Sequence, residues 1–334
     1  MRRERSNWNK ASLTRAAFVC AALVLALALL GTLGTALFRR RAEQAENARP
    51  DRRNERVVAW FGSTADPFCA PLYPAMEKVC RVNGWRLISY DCRGRVAGQM
   101  GQIDDFLRTE QADAAVIYSL LEKSDLNRQV KRLAEVCPVV TVGQQVGMIA
   151  GSSVAAHIGA NEAEQVGALA EYLAENMGKE QGALLMTTVP DKAAERRYVE
   201  AFSQGDVTVL DNNYTWGGQV YAERYLNTAL EAFPETGAII CVSRHGAAGA
   251  LKTLEEWGRR DSVKIVSLFY EKAMADDLTQ GVLDAAVAFS PKEAGERLAE
   301  VLPGVLKGGE TTARPLTPVL LTRENVEETE SWYE

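Results

Sequence analysis

The chain has 334 residues, enough for two domains of ordinary size and an additional segment. Its formal charge of −6 hides an asymmetry, because residues 1–56 hold 12 Lys or Arg against 5 Asp or Glu, whereas the remainder holds 26 against 39. The acidic body argues against a nucleic-acid partner, since it would repel the phosphates.

The first predicted element is an apolar run from Ala16 to Phe38 that contains no charged residue. At about 1.5 Å per residue it can cross a hydrocarbon core of about 30 Å. A basic N-terminus, 1–15, precedes it, and a charged stalk, 39–56, follows. A cleaved signal peptide, cut near Gly34–Ala36, is the alternative, but the run exceeds the usual apolar core of about 7–15 residues. We therefore predict a single transmembrane anchor over 16–38 in the cell membrane, with the body outside the cytoplasm.

Beyond the stalk, apolar strands alternate with amphipathic helices. The first strand spans Val57 to Gly62, and Leu72, Met76 and Val79 then recur at the spacing of one helix face. Strands are predicted next in "RLISYDC", "AAVIYS" and "PVVTVGQ", with helical patterns between them. This order predicts a parallel sheet with right-handed crossovers that cover both of its faces.

The small residues of "QVGMIAGSSVAAHIG" interrupt the alternation and predict a crossover. The pattern then begins again, with strands predicted in "ALLMTTV", "VTVLDNN", "AIICVS" and "VKIVSLF" and a helix over Gly246 to Trp257. Two similar halves in tandem predict an α/β fold of two Rossmann-like lobes, each a parallel sheet flanked by helices, with a cleft between them.

Seven segments carry a resemblance to a known family: "STADPF", "QIDDFL", "CPVVTV", "GALAEYLAENMG", "GAAGALKTLEEWG", "LTQGVLDAAVAFSP" and "PVLLTRENVEE". Their order and spacing resemble the type I periplasmic (solute) binding proteins, in particular the ribose- and galactose-type sugar binders, from about residue 57 to 326. The resemblance implies a three-segment hinge. It places residues 57–150 and 270–306 in lobe one, and residues 151–269 and 307–334 in lobe two.

The family's ligand lies between the lobes, where strand-to-helix junctions of both lobes contact it. Ser63, Asp66 and Phe68 match the junction after the first strand. Asp66 is also expected to cap the next helix, and an exposed Phe68 to stack on the apolar face of a sugar. The other candidate ligand-binding positions are Gln144, Arg196, Arg197, Trp216, Ser243, Arg244, Phe269 and Phe289.

Several of these positions depart from the family's pattern. Gln144 and the glycine before it stand where the family often has Asp-Arg, and Ser243-Arg244 replaces an expected Asn-Asp pair. Phe269 replaces an acidic residue, and Phe289 replaces a polar one. Fewer carboxylates and more rings and guanidinium groups predict a ligand that is less hydroxylated than a simple aldose, either an anion or a modified sugar.

Structural roles are the alternative for part of this set. Core packing is the alternative for the three phenylalanines, and a solvated helix face is the alternative for Arg196 and Arg197. Ser243 is not expected to be a nucleophile, because Cys241 and His245 stand where a nucleophile elbow needs glycines. The cysteines show no metal-ligand spacing and are expected to be small buried side chains.

The function predicted from these features is that of a membrane-anchored, extracytoplasmic solute-binding protein for an ABC-type transporter. It would bind a small molecule, a sugar or sugar-like compound, and deliver it to the permease. The alternative is a ligand sensor that presents its closed form to a membrane receptor such as a histidine kinase. No acid, base and nucleophile constellation is visible, so we expect neither an enzyme nor a cofactor or metal.

Overall fold

The computed structural model describes residues 55–118, 120, 123–143, 154–187, 192–215, 218–308 and 314–333. The predicted anchor over 16–38 and nearly all of the predicted stalk lie outside these residues. Internal contacts divide the chain at residue 56, and the fold described belongs to the unit Arg56–Glu334. Among the described residues, no helix has both the length and the apolar character that a bilayer span requires.

A first sheet is built from six strands. They are β1 (Val57–Gly62), β2 (Arg86–Asp91), β3 (Ala114–Tyr118), β4 (Val139–Gly143), β5 (Val154–Ala160) and β11 (Arg314–Leu316). Their order is β11-β5-β4-β3-β1-β2, and every neighbouring pair is parallel. Strands β1, β3 and β4 are buried along their whole length, as expected for apolar runs inside a parallel sheet.

A second sheet has the same number of strands. They are β6 (Gly182–Thr187), β7 (Val209–Tyr214), β8 (Thr236–Cys241), β9 (Lys264–Ser267), β10 (Ala285–Ala288) and β12 (Val319–Thr322). Their order is β12-β10-β9-β8-β6-β7, and only the pair of β10 and β12 is antiparallel. The prediction of two parallel α/β sheets is therefore confirmed.

Helices cover both faces of each sheet. They are α1 (Leu72–Asn83), α2 (Val96–Thr109), α3 (Lys123–Ala134), α4 (Glu162–Asn176), α5 (Lys192–Gln204), α6 (Gln219–Ala232), α7 (Arg244–Glu256), α8 (Ala275–Thr279) and α9 (Pro291–Leu306). Helices α1 and α9 pack together on one face of the first sheet, and α2 and α3 cover the other. On the second sheet, α4 and α5 lie on one face and α6, α7 and α8 on the other.

The chain passes between the sheets three times, as a three-segment hinge requires, but not at the predicted residues. Strand β5 pairs with β4 in the first sheet, although residues 151–269 were predicted to lie in lobe two. Strand β10 pairs with β9 in the second sheet, although residues 270–306 were predicted to lie in lobe one. Strand β11 pairs with β5 in the first sheet, although residues 307–334 were predicted to lie in lobe two. The crossings therefore follow β5, β10 and β11. The first lobe boundary was predicted wrongly because β5 consists of small and β-branched residues and follows a glycine-rich stretch. The two together were interpreted as a connection between the lobes.

Candidate functional site

The carboxyl ends of both sheets lie on the side where the lobes meet, because all three crossings leave from the carboxyl ends of β5, β10 and β11. Open α/β sheets bind ligands at this edge, where the strand-to-helix junctions supply backbone and side-chain groups. The junctions after β1, β8, β9 and β10 carry most of the predicted binding residues, and the end of β3 lies beside the first of them. They define the candidate site.

Ser63, at the end of β1, is buried and is hydrogen-bonded within the protein. Its Oγ accepts a hydrogen bond from the backbone N–H of Gly94 at 2.8 Å, and its own N–H donates to Cys69 Sγ at 3.1 Å. Beside it, the backbone N–H and the hydroxyl of Thr64 both donate to the carboxylate of Asp91, at 3.0 and 2.6 Å. The hydroxyl of Ser63, which was predicted to face a ligand, therefore links the junction after β1 to the junction after β2.

Asp66 caps a turn rather than the helix itself. Its Oδ1 accepts hydrogen bonds from the N–H groups of Phe68 and Cys69, each at 2.9 Å, whereas α1 begins only at Leu72. The carboxylate remains partly exposed and lies beside the hydroxyl of Tyr118, at the end of β3. Burial raises the pKa of Tyr118, and the charge and hydrogen bonding of Asp66 raise it further. This carboxylate is the best-placed polar group that the described site offers to a ligand.

The prediction of an exposed Phe68 is wrong. Its side chain is 5% exposed, and its ring stacks on that of Tyr118 with the centroids 6.0 Å apart. A buried amide on α2 fixes the strand end that carries this tyrosine: Gln99 Nε2 donates to the Tyr118 carbonyl at 2.7 Å, and its Oε1 accepts from the Leu120 N–H at 3.0 Å. Sequence reasoning missed Tyr118, although its place as the last residue of a buried strand was a usable signal.

Phe269 and Phe289, at the carboxyl ends of β9 and β10, are also buried, with exposures of 8% and 1%. Both belong, with Phe68, to one continuous apolar cluster that contains residues of both lobes. The hydroxyl of Ser267 donates to the carbonyl of Phe269 at 2.7 Å and so holds this strand end in place. The structure thus brings the three phenylalanines into one apolar cluster. Core packing is the role that the sequence analysis gave as the alternative to ligand binding.

Two of the predicted arginines form bidentate ion pairs inside lobe two. Arg197 donates to both carboxylate oxygens of Glu162 at 2.8 and 3.1 Å. Arg244 does the same with Asp277 at 2.6 and 3.0 Å, and hydrogen bonding to that carboxylate raises the pKa of Arg244. Arg196 is exposed on the same helix as Arg197. The structure therefore pairs Arg197 and Arg244 with carboxylates of the chain, and their contact with a ligand stays a prediction.

The remaining predicted residues divide into one with a visible role and two that are not described. Ser243 is the N-cap of α7, where its Oγ accepts from the N–H of Gly246 at 3.1 Å. Gln144 and Trp216 lie outside the described residues, so their contacts with a ligand stay predictions. Among the residues that the structure describes, no group of His, Cys, Asp or Glu could hold a metal ion.

Comparison with known proteins identifies one family and many structures of the same fold. Residues 58–310 match the family model described as periplasmic binding protein domain. No protein with a curated description matches the sequence significantly.

Three solved structures illustrate the structural likeness. A glucose-galactose binding protein from Geobacillus stearothermophilus has a TM-score of 0.66 at 15% identity, over 81% of this chain and 98% of that chain. An arabinose binding protein from the same organism has a TM-score of 0.66 at 17% identity, over 82% and 99%. An ABC transporter solute binding protein from Bacillus halodurans with bound myo-inositol has 0.62 at 20% identity, over 84% and 98%. At these identities the likeness shows the fold.

Proposed function

The chain belongs to the periplasmic binding protein domain family, and from this membership we propose that it is a solute-binding protein that takes a sugar or sugar-like molecule between its lobes. The observation that carries the proposal is one apolar cluster to which strand ends of both lobes contribute, Phe68 and Tyr118 from lobe one and Phe269 and Phe289 from lobe two, beside the Asp66 carboxylate. Proteins of the same fold described as binding glucose, galactose, arabinose or myo-inositol support the ligand class.

The polar groups of the site favour a neutral and weakly hydroxylated ligand. Ser63 is already hydrogen-bonded within the chain, and the guanidinium groups of Arg197 and Arg244 are paired with carboxylates. Asp66 is the exception, because its carboxylate is partly exposed and its two oxygens can accept more hydrogen bonds than those from the Phe68 and Cys69 N–H groups and the Tyr118 hydroxyl. A deoxy sugar or another modified sugar with few hydroxyls fits this set better than an anion does, since an anion would need uncommitted positive charge.

Thermal unfolding of the purified full-length chain in detergent tests this proposal against a panel of compounds. The panel contains neutral pentoses, hexoses, deoxy sugars and cyclitols, with sugar acids and amino acids as separate classes. A ligand at 100 times its dissociation constant stabilises the folded state by about 2.7 kcal/mol, which such an assay detects readily. We expect stabilisation by at least one neutral sugar or cyclitol. Stabilisation by amino acids alone, or by no member of the panel, contradicts the proposal.

A matched variant tests whether the stabilising compound binds at this site. Asp66→Asn keeps a side-chain oxygen that caps the turn, because asparagine caps as well as aspartate does, but it removes the negative charge. The variant is expected to fold with nearly unchanged stability and to lose roughly 1.5–3 kcal/mol of ligand binding, the usual contribution of a hydrogen bond to a charged group. Unchanged ligand affinity in a folded Asp66→Asn protein places the ligand elsewhere.

We further propose that the uncharged run over 16–38 tethers the body to the outer side of the cell membrane beside an ABC-type permease. The proposal rests on the length of the run and its basic flanks, together with the acidic body that follows. Carbonate washing of membranes tests the attachment, because a tethered protein stays in the pellet. Protease added to intact spheroplasts tests the orientation, because a body on the outer side is degraded. Release of the chain into the wash, or a mature N-terminus near Leu37, contradicts the tether.

A further inference from the structure

The last eight described residues, 326–333, form a C-terminal segment that is anchored in lobe two. After β12 the chain turns into a 3-10 helix over Val326–Trp332, in which Val326 and Thr329 are buried. The hydroxyls of Tyr270 and Thr329 lie 3.3 Å apart, so the segment is held to the end of β9. Trp332 and Tyr333 pack against the apolar cluster that covers this face of the second sheet.

The end of the C-terminal segment also faces lobe one across a groove. A groove of about 1020 Å³ is lined by the junction before α1, by α1 itself and α9 of lobe one, and by the last residues of the C-terminal segment. Burial, the nearby Tyr270 and the charge of Asp66 raise the pKa of Tyr333, which agrees with a ring placed between the two lobes. The lining residues from the two sides include Ala70, Pro71, Pro74, Pro291, Trp332 and Tyr333.

A second contact from lobe two fixes the ring of Tyr333. Lys272, which follows β9, places its Nζ 4.7 Å from the centroid of that ring, within the range of a cation–π interaction. Pro291, on the other side of the groove, begins α9 directly after the second crossing between the lobes. The C-terminal segment therefore lies beside the hinge, where rotation of one lobe against the other changes its distance from lobe one.

We propose that the C-terminal segment is a brace that holds the two lobes in the arrangement of this structure, with Trp332 and Tyr333 as its contact with lobe one. A two-lobed protein moves between arrangements whose populations depend on the contacts that each arrangement makes. The brace adds contacts to one arrangement, so it restricts lobe motion and thereby influences ligand affinity. The effect on affinity rests on the proposed function, whereas the restriction of lobe motion does not.

Double electron–electron resonance on the spin-labelled full-length chain, without ligand, measures the distance between the lobes and so tests the brace directly. Spin labels are introduced through a genetically encoded amino acid at two exposed helix positions, Lys131 on α3 of lobe one and Glu231 on α6 of lobe two. The Trp332→Ala/Tyr333→Ala variant removes the contact with lobe one. Tyr221→Ala, which removes an exposed ring elsewhere on lobe two, is the matched control.

The double variant is expected to broaden the distance distribution and shift it from its wild-type mean, and the control is expected to leave both unchanged. If circular dichroism shows that the double variant is unfolded, Lys272→Ala is measured in its place, because this exposed side chain can be removed without opening the core. A distribution identical to that of the wild type in the folded variant overturns the brace. A broadened distribution in a protein that binds no sugar refutes the proposed ligand and leaves the brace intact.

Discussion

Gln99→Met is the substitution whose effect the structure specifies most closely. The side chain of Gln99 is fully buried and makes two hydrogen bonds to the strand end of β3, at 2.7 Å to the Tyr118 carbonyl and at 3.0 Å from the Leu120 N–H. Methionine matches the length and approximate volume of glutamine but supplies neither the donor nor the acceptor. The substitution therefore leaves two backbone groups of one junction without their partner.

The expected loss in the free energy of unfolding follows from the number of backbone groups left without a hydrogen-bond partner. A buried polar group without a partner costs about 1–3 kcal/mol, and Leu120 is only partly buried, so we expect a loss of about 2–4 kcal/mol in the free energy of unfolding. For a body of this size each kcal/mol lowers the melting temperature by about 2–4 °C. Because Tyr118 contacts Phe68 and lies beside Asp66, ligand binding is expected to weaken as well.

Thermal and urea unfolding of the two proteins measure this cost. Gln204→Met is the matched control, because it makes the same chemical change at an exposed position at the end of α5, where less than about 0.5 kcal/mol is expected. Gln99→Glu keeps the acceptor for Leu120 while it places a charge in the core, so it is expected to be destabilised too. The reasoning is refuted if Gln99→Met loses no more stability than Gln204→Met.

Three further predictions concern groups outside this junction. Burial lowers the pKa of His157 to about 4, so the unfolded chain binds a proton between pH 6.5 and 4 that the folded chain does not. His157→Asn should therefore flatten the loss of stability on acidification through this window by up to about 1.4 kcal/mol per pH unit. Arg244→Met should cost about 1 kcal/mol in the free energy of unfolding, because the Arg244 side chain is 45% exposed, although that of Asp277 is only 15% exposed. It should leave the affinity for a neutral ligand unchanged, and a tenfold loss of affinity measured by calorimetry contradicts this. The five cysteines of the described body are buried, and burial raises the pKa values of their thiols. In a Cys20→Ser protein they should therefore react with a disulfide reagent only after denaturation, and rapid labelling of the native protein contradicts the buried placement.

Much of the architecture was predictable, because it depends on short-range patterns. The apolar run of β1 and the spacing of Leu72, Met76 and Val79 identify a buried strand and one face of a helix, and the structure agrees with both. The lobe boundaries were not predictable in this way, since β10 has only four residues and β5 follows a stretch of small residues. Which sheet such a strand joins is decided by long-range pairing, and the period of its side chains carries no information about that.

The roles of the site residues were less predictable than the positions of the junctions. Phe68 stands at the expected strand end, but Tyr118, fifty residues further along the chain, covers it. Arg197 and Arg244 lie close to the expected positions, but carboxylates 35 and 33 residues away in the sequence pair with them. A single sequence shows which groups are present at a junction. It does not show which of them already have a partner in the fold.

Hydrogen–deuterium exchange with and without a stabilising sugar is the most direct test of ligand binding between the lobes. The full-length chain is measured at a saturating concentration of the sugar found in the thermal panel. Binding at the strand ends predicts slower exchange in peptides of both lobes, around residues 63–71 in lobe one and around 268–271 in lobe two. Slower exchange confined to a single lobe, or to the outer faces of α1 and α9 away from the strand ends, contradicts binding between the lobes.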